Sequence, residues 1–514
     1  MSKDLNDIIL ENTKKILKKY KNDKEVIVYF NQLIEEQIPK FLDAYKESTK
    51  KKELKEHNRK QFIHKFLTDD SCMYYYIYGS DLFINYNRVD YTRVSESDII
   101  CNISDKMNGD PVLMEHKMSI DEEIITMLKI HKLETTIPET ETIQKLLGYF
   151  WPLFFKTKQE AKYFFCVLGD IFLNKKRENI YYVVESARPF IEYLDDLLSD
   201  YFKHSFPRLT DRFKFHYRNH EYNKSRIIYF DNDIGNLIMS WKTMLNENIF
   251  NIYAVSCHYS NRYRDSDQFL LKQRVEMRTK IRYLVGNDKI SIVNEFSENM
   301  LIFGDDYKMS TNNMKLLWKI YLNKRKMPEI MFKREIIDIM KLKCNMTGNM
   351  FVGVRWNMCS VDFDYFKEFW SSKITHNIEI DDSYEISEIH DLFGQWIVKT
   401  KNKPHVFSEE DVLYIIKFIC NDIKIVNDKN VENVVCKMWN KKESLFDILP
   451  KMLKNKELHY DITIVNAYKE YVKYLGDQDT NIVSKRYFER YIQKIVPPQY
   501  IDSVNNLIRK EFWI

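Results

Sequence analysis

The sequence predicts a mainly α-helical protein with small β-sheets, an α+β chain of several domains, and three observations support that class. At 514 residues the chain exceeds one ordinary domain, which holds about 100–200 residues. Apolar residues recur at helical spacing through most of its length, behind recognisable capping signals. Short alternating tracts rich in Tyr and β-branched residues stand near 72–94, 180–230 and 423–435, where small sheets are expected. With 34 Tyr and 32 Phe, and 44% hydrophobic residues, there is apolar area for several cores.

Four regions follow in order. Residues 1–68 read as a helical N-terminal region: Leu5, Ile8, Ile9, Ile16 and Leu17 share one stripe, and Pro39 suits the first turn of a second helix, where a missing N–H costs nothing. The basic run from Lys50 to Lys60 is broken by Glu53 and Glu56 and reads as a solvated face. Residues 69–235 read as a small sheet plus helices, winged-helix-like. Strands are expected over 72–78, 82–86 and 91–94, and capping boxes at Ser95 with Asp98, Ser119 with Glu122 and Thr157 with Glu160 open helices. Between the last two, Pro138 precedes a helix over 142–147 that Gly148 ends; a helix over 158–170 and a strand over 180–184 complete the winged-helix order. Phe213, Phe215 and Tyr217 alternate with Lys214, His216 and Arg218, a strand with a basic outer face whose hairpin partner is expected over 226–230. Residues 236–400 read as a helical middle domain. Residues 401–514 read as a C-terminal α+β domain ending in a helix-turn-helix-like pair.

The formal charge is only +4, so any polyanion binding must rest on local patches. Eight Cys are scattered without a C-x-x-C and read as reduced, buried thiols. No apolar run reaches the length of a membrane span, and residues 1–19 lack a signal-peptide core, so neither secretion nor membrane insertion is expected.

Several strings imitate catalytic motifs. The stretch from Gly348 to Arg355 lacks the Lys and Ser/Thr of a phosphate-binding loop, which excludes a Walker-type ATPase. Gly304-Asp305-Asp306 imitates the metal-binding hairpin of some RNA polymerases but has no companion motif, and reads as a polar turn. Glu115-His116-Lys117, with Asp105 or Asp110, has the order of a metal-dependent nuclease at a spacing common by chance in so charged a chain. His216 and His220 lack partners at zinc-ligand spacing. No metal, cofactor or catalytic residue is expected.

Two segments point to nucleic acid. In His258-Tyr259-Ser260-Asn261-Arg262-Tyr263-Arg264, interleaved Arg and Tyr suit stacking on bases and pairing with phosphates; the bland alternative pairs Arg262 with Asp265 or Asp267 and packs the tyrosines into a structural corner. Near the C-terminus, residues 476–481 form a turn and Ser484 opens a helix with Phe488, Tyr491, Ile492 and Ile495 on one face and Lys485, Arg486, Arg490 and Lys494 on the other. Lys214 and Arg218 on the basic strand complete the candidate contacts.

The stretch Thr142-Ile143-Gln144-Lys145-Leu146-Leu147-Gly148, through Ala161-Lys162-Tyr163-Phe164 to Leu168-Gly169-Asp170, resembles a group of uncharacterised proteins of nucleocytoplasmic large DNA viruses. The segments 258–263 with 266–267, 312–319 and 484–488 resemble the same group. The layout from 83 to 103 and the late helix-turn-helix further resemble the non-ATPase parts of poxvirus-type primase-helicases, whose nucleotide-binding loop this chain lacks. The resemblance implies a protein of the host cytoplasm (the viral factory) or the virion interior, with DNA or RNA and other viral replication, transcription or virion proteins as partners and no membrane. The function expected is non-enzymatic nucleic-acid binding. A virion or machinery scaffold, or a relic of a metal-dependent nuclease or polymerase, are the alternatives.

Overall fold

The computed structural model describes residues 4–69, 73–203, 206–230, 238–454, 461–476, 481–502 and 507–512. Helices dominate, with several small sheets between them, as expected of a mainly α, α+β chain. The chain divides into two compact units, Met1–Gly286 and Asn287–Ile514.

The first unit begins with a helical arm. The helix Leu5–Lys19 is capped by the Asp4 side chain and Lys24–Gln32 by that of Asp23; the latter runs through a π-helical segment, Leu33–Gln37, into Ile38–Leu67. Pro39 lies in the first turn of that last helix, as expected. It cannot donate to the Glu35 carbonyl and its ring would crowd it, and a widened π turn just upstream is one way a helix absorbs such an interruption. Only Ile63 and Phe66 of this helix are buried, in a core shared with Tyr74, Phe83, Ile99 and Ile103.

An antiparallel meander follows, Met73–Ile77, Leu82–Tyr86 and Tyr91–Val94, with Tyr75 opposite Ile84 and Phe83 opposite Val94. The main core of the unit surrounds the helix Lys158–Phe172, whose residues 163–172 are buried on every side. It packs on the helix Ile238–Tyr263 at very close range. A Cβ on Gly169 would come within 2.0 Å of the Ser256 carbonyl oxygen, so only Gly permits this crossing.

Some local expectations hold and others change. The boxes at Ser95 and Thr157 cap helices with both reciprocal hydrogen bonds. Ser119 instead lies inside the helix Lys117–Leu128, because Asp110 caps a short helix, Pro111–Glu115, whose chain resumes helical geometry directly after His116. The helix expected to stop at Gly148 spans Thr140–Phe150, and Gly148 has open space where a Cβ would lie, so nothing there requires an end. The hairpin expected over 213–230 is not formed. Ile180–Tyr182 is the centre of a three-stranded sheet and pairs in parallel with both Phe213–Lys214 and Ser225–Ile227. Parallel pairing needs long connections, and the helices Arg188–Phe202 and Leu209–Arg212 supply the first of them.

In the second unit, Leu301–Ser310, Met350–Trp356 and Met346–Thr347 form an antiparallel sheet backed by the helices Lys289–Met300 and Thr311–Lys324. Gly304, Asp305 and Asp306, expected in a turn, occupy a bulge between Phe303 and Lys308 of the first strand, opposite Gly353 in the left-handed region at φ +82°. The helices Val361–Lys373 and Ile386–Lys401 share an aromatic core of Phe366, Phe369, Phe393 and Trp396. The expected sheet near 423–435 is present: Asn430–Glu432 pairs with Ile425–Val426 and Ser383–Glu385, and Val434–Cys436 with Ile374–His376. The helices Ile464–Leu475 and Lys485–Ile495 pack through Tyr471 and Phe488, ring centroids 5.1 Å apart. Residues 477–480 of the turn expected between them lie outside the described residues.

Candidate nucleic-acid interface

The segment 258–264 is the last two turns of the helix Ile238–Tyr263 and the corner that follows it. Buried polar struts fix that corner. Asp170, buried in the adjacent helix, accepts from Ser260 Oγ at 2.6 Å and from the Ser266 backbone N–H at 2.7 Å. Burial pushes its carboxyl up, against the pull of those hydrogen bonds. Asp267 takes a bidentate pair from Arg226, at 2.9 and 3.0 Å, and Arg226 is only 5% exposed. Burial alone would raise the Asp267 carboxyl, but the hydrogen bonds and charge of Arg226 overcome it and hold the group below its ordinary range. Asp265 caps the helix Ser266–Leu271 through the Gln268 N–H and lies 3.5 Å from Lys176 Nζ. Both acids once considered as partners for Arg262 are therefore engaged elsewhere.

What remains outside these struts is cationic. Arg262, Arg264 and Lys272 are exposed, and among the described residues none has a carboxylate at ion-pair distance. The Arg262 guanidinium lies 5.7 Å and Lys272 Nζ 5.4 Å from the centroid of the half-buried Tyr263 ring. Tyr263 is held edge-to-face on Phe269 at 4.9 Å and stacked on Tyr259 at 6.4 Å. Lys175 Nζ joins the cluster, donating to Ser260 Oγ at 2.9 Å and Asn261 Oδ1 at 3.0 Å. Arg264 turns the chain with a left-handed backbone at φ +73°. Lys175 and Lys272 were not among the residues singled out by sequence; the only linear signal is the Lys175-Lys176-Arg177 run, which folding brings to the Tyr263 corner.

Two members of the segment face inward. Tyr259 is buried, and burial raises its hydroxyl; His258 is half-buried, and burial, with Arg262 assisting, lowers its imidazole. Neither is placed to touch a ligand, so the tyrosine that can stack is Tyr263. The strand contacts are likewise reduced. Lys214 is half-buried and donates to the Thr210 carbonyl at 2.8 Å, with burial lowering its ammonium, whereas Arg218 is exposed beyond the short strand. His216 pairs with Glu185 at 2.9 Å and His220 meets the Tyr182 hydroxyl at 2.9 Å, so both are engaged in local structure.

The C-terminal helix buries Phe488 and Ile492 as its pattern predicts; the Ile495 side chain lies outside the described residues. Its opposite face is largely neutralised. Arg490 and Lys494 both bind Asp381, whose carboxyl is held low first by the Lys494 hydrogen bond, and Lys485 lies 3.7 Å from Glu489. Arg486 has no such acid among the described residues and borders a polar cavity of about 80 Å³ with Lys441, Ser484, Glu385 and Glu432. Lys441 is 1% exposed, 2.5 Å from Glu388, and enclosed by the rings of Tyr384 and Tyr487 at 4.5 and 4.2 Å. Burial lowers its ammonium and raises the Glu388 carboxyl, the signature of a structural ion pair inside a core.

Other charged strings are locally satisfied. Glu115 pairs with Lys55 at 2.5 Å, and Asp110 is a helix cap. Among the described residues no group of three or more His, Cys, Asp or Glu is arranged to hold a metal ion. No described helix is long and apolar enough to cross a membrane. Compared with protein-family models, with curated proteins and with solved structures, the chain has no match.

Proposed function

We propose that this chain is a non-enzymatic nucleic-acid-binding protein whose primary contact is the corner around Tyr263, acting in the replication or transcription of a large DNA virus, the setting its sequence resemblance implies. One observation carries the reading: Arg262 and Lys272 flank an aromatic ring, beside Arg264, with no carboxylate at ion-pair distance among the described residues, while the acids nearest in sequence are locked to Arg226 and Lys176. Cations around an aromatic face suit a polyanion whose bases can stack. Over residues 261–282 seven Lys and Arg stand against three Asp and Glu, a local excess in a nearly neutral chain. The helix-turn-helix-like end contributes at most Arg486 as a further contact.

Fluorescence anisotropy with single- and double-stranded DNA and RNA across a salt series tests this. Affinity should fall as salt rises, and Arg262→Glu with Lys272→Glu should flatten the log–log slope by about 0.7–0.9 per lost phosphate contact. Lys494→Glu, already paired in the wild type, should change binding little. No binding at low salt to any of the four probes removes the proposal. A scaffold is the second reading, favoured by the neutralisation of Arg490 and Lys494 on Asp381.

A further inference from the structure

The N-terminal arm is amphipathic, and among the described residues its apolar side is left exposed. None of the described residues before Ile63 is buried, and Leu5, Phe41 and Tyr45 are 76%, 71% and 71% exposed. The exposed apolar residues are not scattered. In the helix Leu5–Lys19 they include Leu5, Ile8, Ile9, Ile16 and Leu17, one stripe at helical spacing; from Ile34 in the π-helical segment into the longer helix, Ile38, Phe41, Leu42 and Tyr45 follow at steps of four, three, one and three. Fifteen large apolar side chains of residues 5–54 are exposed, against the 20–30 residues that each side of a standard interface contributes. Monomers rarely leave so many large apolar side chains open along one segment.

We propose that this arm is a self-association element, in which two copies of the chain pair antiparallel through the helix Leu5–Lys19 and the stripe beyond it. Charge selects the occupant. The first half of that helix is acidic, with Asp4, Asp7 and Glu11, and the second half basic, with Lys14, Lys15, Lys18 and Lys19. An antiparallel second copy places each acidic half against a basic one and opposes the helix dipoles, whereas a parallel copy sets like against like. Pairing about Asn12 brings Ile8 opposite Ile16. Beyond this helix the pattern is weaker: Glu35, Glu36, Asp43 and Glu47 flank the stripe with Lys40 and Lys46 among them, and Lys50, Lys51 and Lys52 follow it. A lipid surface is the poorer fit, because residues 4–54 carry eleven Lys against ten Asp and Glu, without the basic excess of interfacial helices.

This proposal rests on the arm alone and stands or falls separately from nucleic-acid binding. Sedimentation of the full chain should give a dimer near twice 62.4 kDa. Ile8→Glu with Ile16→Glu should weaken the dimer by roughly a hundredfold or more while leaving thermal unfolding of the dilute, monomeric chain unchanged, since neither side chain is buried in the single chain. In a Cys101→Ser background, mixing Ile8→Cys chains with Ile16→Cys chains should give oxidative cross-links between the two species in preference to links within either. A wild-type monomer, a dimer indifferent to the double substitution, or preferred Ile8→Cys self-links would each overturn the proposal. So would a monomer that floats with phosphatidylserine vesicles through its arm.

Discussion

At the scale of single residues, two glycines on neighbouring helices show that one substitution can have opposite signs. Gly169→Ala drives a methyl into the Ser256 backbone and should cost about 3 kcal/mol or more in urea unfolding, because two packed helices must separate. Gly148→Ala meets nothing within 4 Å in a helix interior and should stabilise by about 0.5–1 kcal/mol in the same assay. Asp267 carries a pH dependence of definite sign. Its carboxyl is held low in the folded state, so the stability gained from Arg226 is full above the unfolded value of about 3.9 and is lost as pH falls through the lowered folded value. Asp267→Asn should therefore cost about 3 kcal/mol near neutrality, and its deficit should shrink in acid unfolding below pH of about 4. At this scale the sequence exposes residue types but not their partners: Arg262 beside Tyr263 can be read directly, whereas Arg226 as the owner of Asp267, 41 positions away, cannot.

At the scale of elements, what is local is legible. The boxes at Ser95 and Thr157 need only four residues in a row to be satisfied, and they form as written. Thr157→Ala should cost about 1 kcal/mol, measured by thermal unfolding, and should speed hydrogen exchange in the first turn of the helix Lys158–Phe172. Pairing between distant strands is what the pattern conceals. Alternation at 213–218 is compatible with either strand direction, and the choice is made by the helices that return the chain, which turn an expected hairpin into a parallel trio. The C-terminal helix shows the same limit in electrostatic form. Its apolar and basic faces follow from spacing, but the acid that neutralises Arg490 and Lys494 comes from Asp381, more than a hundred positions upstream.

At the scale of the whole molecule, four regions marked by composition become two units joined near Gly286 and Asn287. Residues 1–286 hold a complete core of their own around the helix Lys158–Phe172, so this segment expressed alone should fold cooperatively, with dispersed amide NMR signals and a single unfolding transition. The arm that begins this unit has one further mechanical property. Its π turn houses a surplus residue beside Pro39, and each residue of an α-helix advances the azimuth by about 100°. Removing one residue from regular α-helix would turn everything upstream by that angle, like a gear moved one tooth on its shaft, whereas the π turn takes its extra residue up locally, so excising one residue between Leu33 and Gln37 should leave the upstream segment on nearly the same bearing. The bulge thus keeps the bearing on which Ile27 and Val28 look out relative to Phe41 and Tyr45 nearly independent of one residue of length at this point.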